Sequence, residues 1–376
     1  MKIVFAGGGT GGHLLAGLSI AQEISSRFPG ARIIFFGTNR KKESGYIEKS
    51  SYEFKPIMAC KPTSFIRLPL FIFAALIGII HSLINLIIIK PDIIVGLGGY
   101  GSALPVVAAY ILGIPIVLIE QNVIPGRANL KMSRWADAIL CHWESSKKRF
   151  KKGEVAVTGV PIRSGIIKSE AAGGDNPFGL DFQKKTLLIM GGSQGAQAIN
   201  KVMLQSIPKL QTLVPDLQII HLTGKHVYEE VKEVYSGTGI KSYVSEFYND
   251  IGAAYKLSDL IISRSGANTI AEIAAVGIPA ILIPYPYATD NHQYWNAYEL
   301  SSAGGALIIE QEELEPERVT KLVSDLLMND ERLDNMKKIN RSLNKPLAAA
   351  RVADKICQTL KEKKAKKNVL SFVSPV

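Results

Sequence analysis

KIVFAGGGTGGHLLAGLSIAQEI, residues Lys2–Ile24, and TLLIMGGSQGAQAINKVMLQSI, residues Thr186–Ile207, follow one plan. Each is a short apolar strand, a glycine turn, and then a segment with apolar residues at three-to-four spacing, the period of a helix with one buried face. Neither strand alternates apolar with polar residues, which predicts burial on both faces, as in parallel sheets covered by helices. Working outward, similar runs follow in the first half at Arg32–Phe36, Pro91–Leu97, Ile114–Glu120, Ala138–His142 and Val155–Thr158. The second half has them at Leu217–Leu222, Tyr243–Phe247, Leu260–Ser263, Pro279–Pro284 and Ala306–Glu310. Helical patterns lie between most of them. The expected architecture is α/β, with two doubly wound Rossmann-like domains facing each other across a cleft. Residues 1–163 form the first domain and 186–345 the second. Residues 164–185, rich in small and turn-forming types, read as a linker, and 346–376 as a C-terminal helix and basic tail, frayed from Lys361.

A chain of 376 residues is too long for one ordinary core and sufficient for two. Cys60, Cys141 and Cys357 are far apart and form no CxxC pair, which argues against a disulfide scaffold or structural zinc and fits a reducing compartment. The strand begins at Lys2 with no signal-peptide pattern before it, so the expected location is cytoplasmic. The net charge of +11 is unevenly spread: residues 1–163 carry 20 Lys/Arg against 9 Asp/Glu, whereas 164–376 carry 24 against 24. The first domain is expected to face something anionic.

Four glycine-rich turns follow presumed strands: Gly7–Gly12, Gly96–Gly101, Gly191–Gly195, and Ser263–Ala267 with its single Gly266. Glycines there let backbone N–H groups approach a phosphate at a helix N-terminus. Turns of this kind in both domains suit a bridging ligand, or two anionic ligands, better than one dinucleotide. The dinucleotide reading also lacks its acidic residue, because the second strand runs into Gly37-Thr38, with only Arg40 and Lys41 nearby to suit a 2′-phosphate. The sequence contains no GxxxxGK[ST] and no HExxH, and no Asp-x-Asp clamp for a metal-bound diphosphate. His221 and His226, flanking a strand end, read as ordinary surface residues. Without a metal, the charge on a departing diphosphate must be met by amides, helix dipoles and arginine, and Arg163 after the Gly159-Val160-Pro161 turn is one such group.

The segments GGTGGH (Gly8–His13), GLGGYGS (Gly96–Ser102), IEQN (Ile119–Asn122), GVPIR (Gly159–Arg163), GGSQGAQAIN (Gly191–Asn200), SRSGANTIAEIAAVGIPAILIP (Ser263–Pro284) and DNHQYWNA (Asp290–Ala297) come in the order seen in a known family. With them the chain resembles the MurG family of N-acetylglucosaminyltransferases, which has the GT-B fold. The resemblance implies transfer of N-acetylglucosamine from UDP-GlcNAc to the 4-hydroxyl of undecaprenyl-diphosphate-linked N-acetylmuramyl-pentapeptide, with inversion and without metal or other cofactor. It implies a peripheral protein on the cytoplasmic face of the cell membrane. UDP would bind mainly in the second domain and the lipid-diphosphate acceptor in the first, where the turn at Thr10, Gly11 and Gly12 is the phosphate-type loop. Ser193 and the amides of Ala267, Asn268 and Thr269 would hold the donor diphosphate, with Arg163 reaching it too. Tyr248 occupies the place of the uracil contact, Glu272 would accept from the ribose hydroxyls, and Asn122 and Gln293 match residues near the sugar. His292 stands where the family commonly has glutamine, and Val160 where it has asparagine.

Inversion needs a group to take the proton from the attacking hydroxyl. The candidates are His13, at the first turn of a helix that would favour its neutral form, and Glu120, at a strand end. Each has a non-catalytic alternative, His13 as a positioning group and Glu120 as a structural carboxylate. Leu68–Ile89 is long and apolar enough to prompt a membrane span, but Pro69, Gly78, His81, Ser82 and Asn85 interrupt it, and it leads directly into a strand. It reads instead as a helix buried on one side and partly exposed near Phe65–Phe73, with Lys55, Lys61 and Arg67 upstream. Such a surface suits anionic lipid. Lys147–Lys152 (KKRFKK) has no nucleic-acid-binding motif beside it, so no nucleic-acid partner is expected. The alternatives are a GT-B transferase with another acceptor, a non-hydrolysing UDP-sugar epimerase, and a non-catalytic sugar-nucleotide-binding protein.

Overall fold

Residues 1–8, 11–38, 45, 47, 50–58, 68–167, 176–192 and 195–373 are described by a computed structural model. They form two units, Met1–Arg163 together with Lys345–Val376, and Ser164–Asn344. The first is built on β1 (Lys2–Gly7), β2 (Arg32–Gly37), β3 (Glu53–Pro56), β4 (Ile93–Gly98), β5 (Ile116–Glu120), β6 (Ala138–Cys141) and β7 (Val155–Val157), in the order β3-β2-β1-β4-β5-β6-β7. The second is built on β8 (Thr186–Met190), β9 (Gln218–Leu222), β10 (Lys241–Ser245), β11 (Leu260–Ser263), β12 (Ala280–Leu282) and β13 (Ala306–Ile308), in the order β10-β9-β8-β11-β12-β13. The ladders are parallel in both sheets. Both units are therefore doubly wound α/β, and the strand order reverses between β1 and β4 and between β8 and β11, the positions where such sheets bind ligands.

The apolar runs become strands because both of their faces are covered: β1, β4, β5, β6 and β8 are buried along nearly their whole length. An aspartate precedes the strand on three occasions, in Pro91-Asp92-Ile93, Ala136-Asp137-Ala138 and Ser258-Asp259-Leu260. Each accepts the first amide of a neighbouring strand: Lys2 N–H donates to Asp92 at 2.8 Å, Ile116 N–H to Asp137 at 2.9 Å, and Thr186 N–H to Asp259 at 2.9 Å. These bonds occupy donors that the ladder leaves over at strand starts.

β3 was not anticipated, because EFKP at the sheet edge is half-exposed and shows no apolar run. Ser164–Ile167, expected in a linker, is a short helix packed against the Ile251–Leu257 and Ala267–Val276 helices. The C-terminal segment is helical from Ala348 to Val373 rather than frayed from Lys361. Its Val352, Ala353, Ile356 and Leu360 enter the same core as Ile20 and Ile24 of the Gly11–Arg27 helix. Lys363 and Lys364 pair with Asp137 and Asp92 at 2.7 and 3.2 Å, across the N-terminal ends of the strands.

The Leu68–Ile89 helix packs on the Tyr100–Ile111 helix, and a side chain at Gly78 would collide with Leu104 and the backbone of Met58. Ser82, Leu86 and Ile89 are buried, but exposure is not confined to the start of the helix: Leu70, Phe73, Leu76, Ile80, Ile84, Ile87 and Ile88 are all exposed. Phe65, Lys61 and Arg67 lie outside the described residues.

Candidate active site

In the first unit the glycine turns after β1 and β4 flank the switch point, where Gly7 pairs with Gly98 across an irregularity in the ladder. Gly98 and Gly99 have φ of 95° and 74°, conformations that favour glycine. They also bring the backbone against His13: a Cβ at Gly98 would stand 3.3 Å from its Nε2, and one at Gly99 3.4 Å from its Cε1. His13 is half-buried, one residue after Gly11 and Gly12 open their helix. Thr10 lies outside the described residues.

Glu120 ends β5 and is 2% exposed. Its Oε1 accepts from the amide of Asn122 at 2.9 Å and from Asn122 Nδ2 at 3.3 Å. Its Oε2 accepts from the amide of Gly126 and from Asn129 Nδ2, both at 2.9 Å. Asn129 Nδ2 also donates to the Ile119 carbonyl. Burial raises the carboxyl pKa, and the four donors only partly oppose it. Every lone-pair direction of the carboxylate is already engaged in shaping the 121–126 loop. Two of the four bonds come from Asn122 itself, which is thereby held beside the carboxylate.

The GVPIR turn is pinned from below. Thr158 and Gly159 N–H both donate to the Cys141 carbonyl, at 3.0 and 3.2 Å, and Val160 N–H donates to His142 Nδ1 at 2.7 Å. Burial holds His142 neutral, with a pKa near 3, so the acceptor nitrogen is kept. Arg163, half-buried, is the last residue of this turn and of the unit's first segment.

In the second unit, Gly191–Gly192 after β8 and Ser265–Gly266 after β11 flank the corresponding switch point, where Met190 pairs with Ser263. A Cβ at Gly191 would fall 2.1 Å from the Ala196 amide, so only glycine allows the loop to fold onto the start of the next helix. Between these loops lies a cavity of about 480 Å³, bordered by Gly191, Gly192, Arg264, Thr269, Tyr285 and Gln293 among others. The Ala267–Val276 helix aims its N-terminus there, and Gly266 at its cap offers no side-chain acceptor. A helix N-terminus in such a place favours an anion. Gln293 is oriented by the Tyr285 N–H, which donates to its Oε1 at 3.0 Å, and by Ser265 Oγ, which donates to its carbonyl at 2.8 Å. Glu272, buried, accepts from Tyr255 Oη at 2.9 Å. Tyr248 follows β10, its ring packed on Phe178 and Tyr243 at 4.9 and 5.9 Å. Ser193 lies outside the described residues.

Arg264, which follows β11, has no role that its residue type alone reveals. Its guanidinium donates to the carbonyls of Ile283 and Pro284 and to Gln311 Oε1, and sits 5.5 Å over the Tyr285 ring. It thereby ties the two walls of the cavity together. Its place in the SRSGA segment, Ser263–Ala267, is the feature of the sequence that points to it.

The N-terminal domain of glycosyltransferase family 28 matches residues 3–141, and the C-terminal domain of that family matches residues 186–353. The chain belongs to glycosyltransferase family 28. Within it, the chain is 36% identical over 366 residues to the UDP-N-acetylglucosamine--N-acetylmuramyl-(pentapeptide) pyrophosphoryl-undecaprenol N-acetylglucosamine transferase of Myxococcus xanthus, covering 96% of this chain and 93% of that one. It is 34% identical over 359 residues to the protein of the same name from Bacillus subtilis, covering 94% and 98%. The crystal structure of Acinetobacter baumannii MurG superposes with a TM-score of 0.76 at 28% identity, covering 95% of this chain and 99% of that one. The UDP-GlcNAc 2-epimerase of Neisseria meningitidis, at 15% identity and a TM-score of 0.66 with 96% and 100% covered, shares the fold alone. The epimerase reading thus has likeness of fold, whereas the MurG reading has likeness of sequence across both family 28 domains.

Proposed function

We propose that this protein transfers N-acetylglucosamine from UDP-GlcNAc to the 4-hydroxyl of undecaprenyl-diphosphate-linked N-acetylmuramyl-pentapeptide, with inversion, as a step of peptidoglycan synthesis at the cytoplasmic face of the cell membrane. The observation that carries the reading is full-length similarity to transferases named for this reaction, joined to an anion-ready helix N-terminus beside a cavity large enough for a sugar nucleotide.

In this reading the donor lies in the second unit. Glu272 accepts from the ribose hydroxyls, Tyr248 marks the uracil end, and Gln293 faces the sugar. Ser193 and the amides of Ala267–Thr269, with Arg163, receive the diphosphate. The acceptor lies in the first unit, its diphosphate at Thr10, Gly11 and Gly12 and its sugar near Asn122. The 4-hydroxyl oxygen bonds to the anomeric carbon as the bond from that carbon to the β-phosphate oxygen breaks. The hydroxyl proton passes to His13, and the leaving electron pair stays on UDP, where amides and guanidinium stabilise it. His13 is preferred to Glu120 as base because the four donors around Glu120 leave it no lone pair for a substrate proton.

The exposed apolar face of the Leu68–Ile89 helix is the proposed membrane contact. Lys55 just before it, and the basic residues of its unit, serve anionic headgroups. The experiment is release of UDP from UDP-GlcNAc in detergent: release should require the lipid-linked muramyl-peptide acceptor. Release without acceptor, or none with it, would contradict the reading. The same assay in excess EDTA should retain full activity, and loss restored by magnesium or manganese would overturn the metal-free account.

A further inference from the structure

Tyr255, in the Ile251–Leu257 helix, is the bulkiest of the fully buried side chains among the described residues, at 1% exposure. Phenylalanine would fill the same core position without a hydroxyl that burial obliges to find a partner. The Tyr255 hydroxyl donates to Glu272 Oε2 at 2.9 Å and lies 3.9 Å from Met190 Sδ. Glu272 belongs to the helix whose N-terminus borders the cavity, and Met190 is the last residue of β8 before the Gly191–Gly192 turn. One phenol therefore bridges the two elements that flank the ligand-binding switch point of this unit.

We propose that Tyr255 is a positioning residue for ribose recognition in a uridine diphosphate ligand. A hydrogen bond to one oxygen narrows the rotation of a carboxylate on its two-carbon stem. The hydrogen bond to Oε2 fixes the carboxylate plane, and so fixes the direction in which the other oxygen presents its lone pairs to a vicinal diol. The inference rests on the assignment of Glu272 to the ribose hydroxyls, and the experiment separates the two.

The full-length protein is titrated calorimetrically with UDP and with 2′-deoxy-UDP, which differ only in one ribose hydroxyl. The unaltered protein should prefer UDP by about ten- to a hundredfold, the effect of one hydrogen bond to a charged group. Tyr255→Phe, which keeps the buried ring, should reduce that preference by about tenfold, with affinity for 2′-deoxy-UDP weakened less than affinity for UDP. Glu272→Ala should abolish the preference, and adding Tyr255→Phe to it should change nothing further. A normal preference in Tyr255→Phe, equal weakening of both ligands, or additive losses in the double variant would each overturn the positioning role. A normal preference in Glu272→Ala would instead remove Glu272 from the ribose site.

Discussion

Glu120 ends β5 and His13 lies in the first turn of the helix that follows β1, and their surroundings separate them. Glu120→Gln keeps the shape but turns an NH₂ toward at least one pair of donors, Gly126 N–H and Asn129 Nδ2 or Asn122 N–H and its side chain. Leaving a buried donor unsatisfied costs about 1–3 kcal/mol, so this variant should melt earlier while keeping the acid limb of its pH–rate profile. His13→Ala should do the reverse, retaining stability and UDP affinity but losing about two to four decades of kcat and flattening the acid limb. Measured pH–rate profiles and thermal melts of both variants decide this; an acid limb lost only in Glu120→Gln would reverse the roles. Glu120 was legible from sequence as a polar residue ending an apolar strand. Its four donors were not, because two come from Gly126 and Asn129, six and nine residues on, and only the loop geometry returns them to it. His221 shows the same limit. It is fully buried, not a surface residue as its place beside a strand end had indicated, with Nε2 facing Asn200 Oδ1 and Nδ1 facing Tyr235 Oη, both at 3.1 Å. Asn200 Nδ2 donates to the Thr223 carbonyl, which leaves its oxygen to accept from the imidazole.

At the scale of the element, the Leu68–Ile89 helix shows where periodicity stops informing. Nearly every position is apolar, so no stripe marks the inner face. The inner face is set by Gly78, Ser82, Leu86 and Ile89, at spacings of three and four, where a small residue allows close approach to Leu104. The outer face is left apolar along the whole helix. Phe73→Ser combined with Ile80→Ser should lower binding to lipid vesicles at least tenfold, since each removes a large apolar group worth about 1.5–3 kcal/mol of burial. Stability should change by less than about 1 kcal/mol, because neither side chain is packed. Vesicle sedimentation together with a thermal melt tests both halves, and unchanged sedimentation would move the membrane contact elsewhere. The C-terminal helix was legible as a helix but not as part of the first unit. Val352, Ala353, Ile356 and Leu360 make an ordinary amphipathic stripe that could cover either sheet.

Over the whole molecule, that placement redistributes charge. The first unit with its C-terminal helix carries 28 Lys/Arg against 11 Asp/Glu, and the second 16 against 22, so the units stand at +17 and −6. Binding of the full chain to anionic vesicles should therefore fall steeply as salt is raised from about 50 to 300 mM, while residual binding to neutral vesicles stays flat, since screening removes only the ionic part. Equal salt dependence on both vesicle types would refute the electrostatic contribution. Each unit also holds one histidine kept neutral by burial, His142 and His221, both with pKa lowered from 6.5 to about 3. Between those values the unfolded chain binds protons that the folded chain does not, so stability falls as pH drops through that window. Glu120, whose pKa is raised, acts with the opposite sign and gains stability on acidification. The melting temperature should already decline by about pH 5.5, above the range where ordinary carboxylates titrate; a flat profile down to about pH 4.5 would contradict the burial of the two imidazoles.

The sequence alone determined the α/β class, the paired strand–glycine–helix units and the positions of ten of the strands beyond them, because a strand covered on both faces must be apolar throughout and glycine is required where backbone meets backbone. It also pointed to the family, since the loop segments carry their chemistry in contiguous residues. Tertiary structure decided what depends on distant parts of the chain meeting. The edge strand β3 exists only because β2 offers it a ladder. The carboxylate of Glu120 is filled by loop donors, and that of Glu272 is gripped by Tyr255. The last helix joins the first unit because Val352, Ala353, Ile356 and Leu360 enter its core, with Asp92 and Asp137 at the strand starts receiving its lysines. Partners of this kind are set by where folding brings side chains together, a choice that the local pattern leaves open.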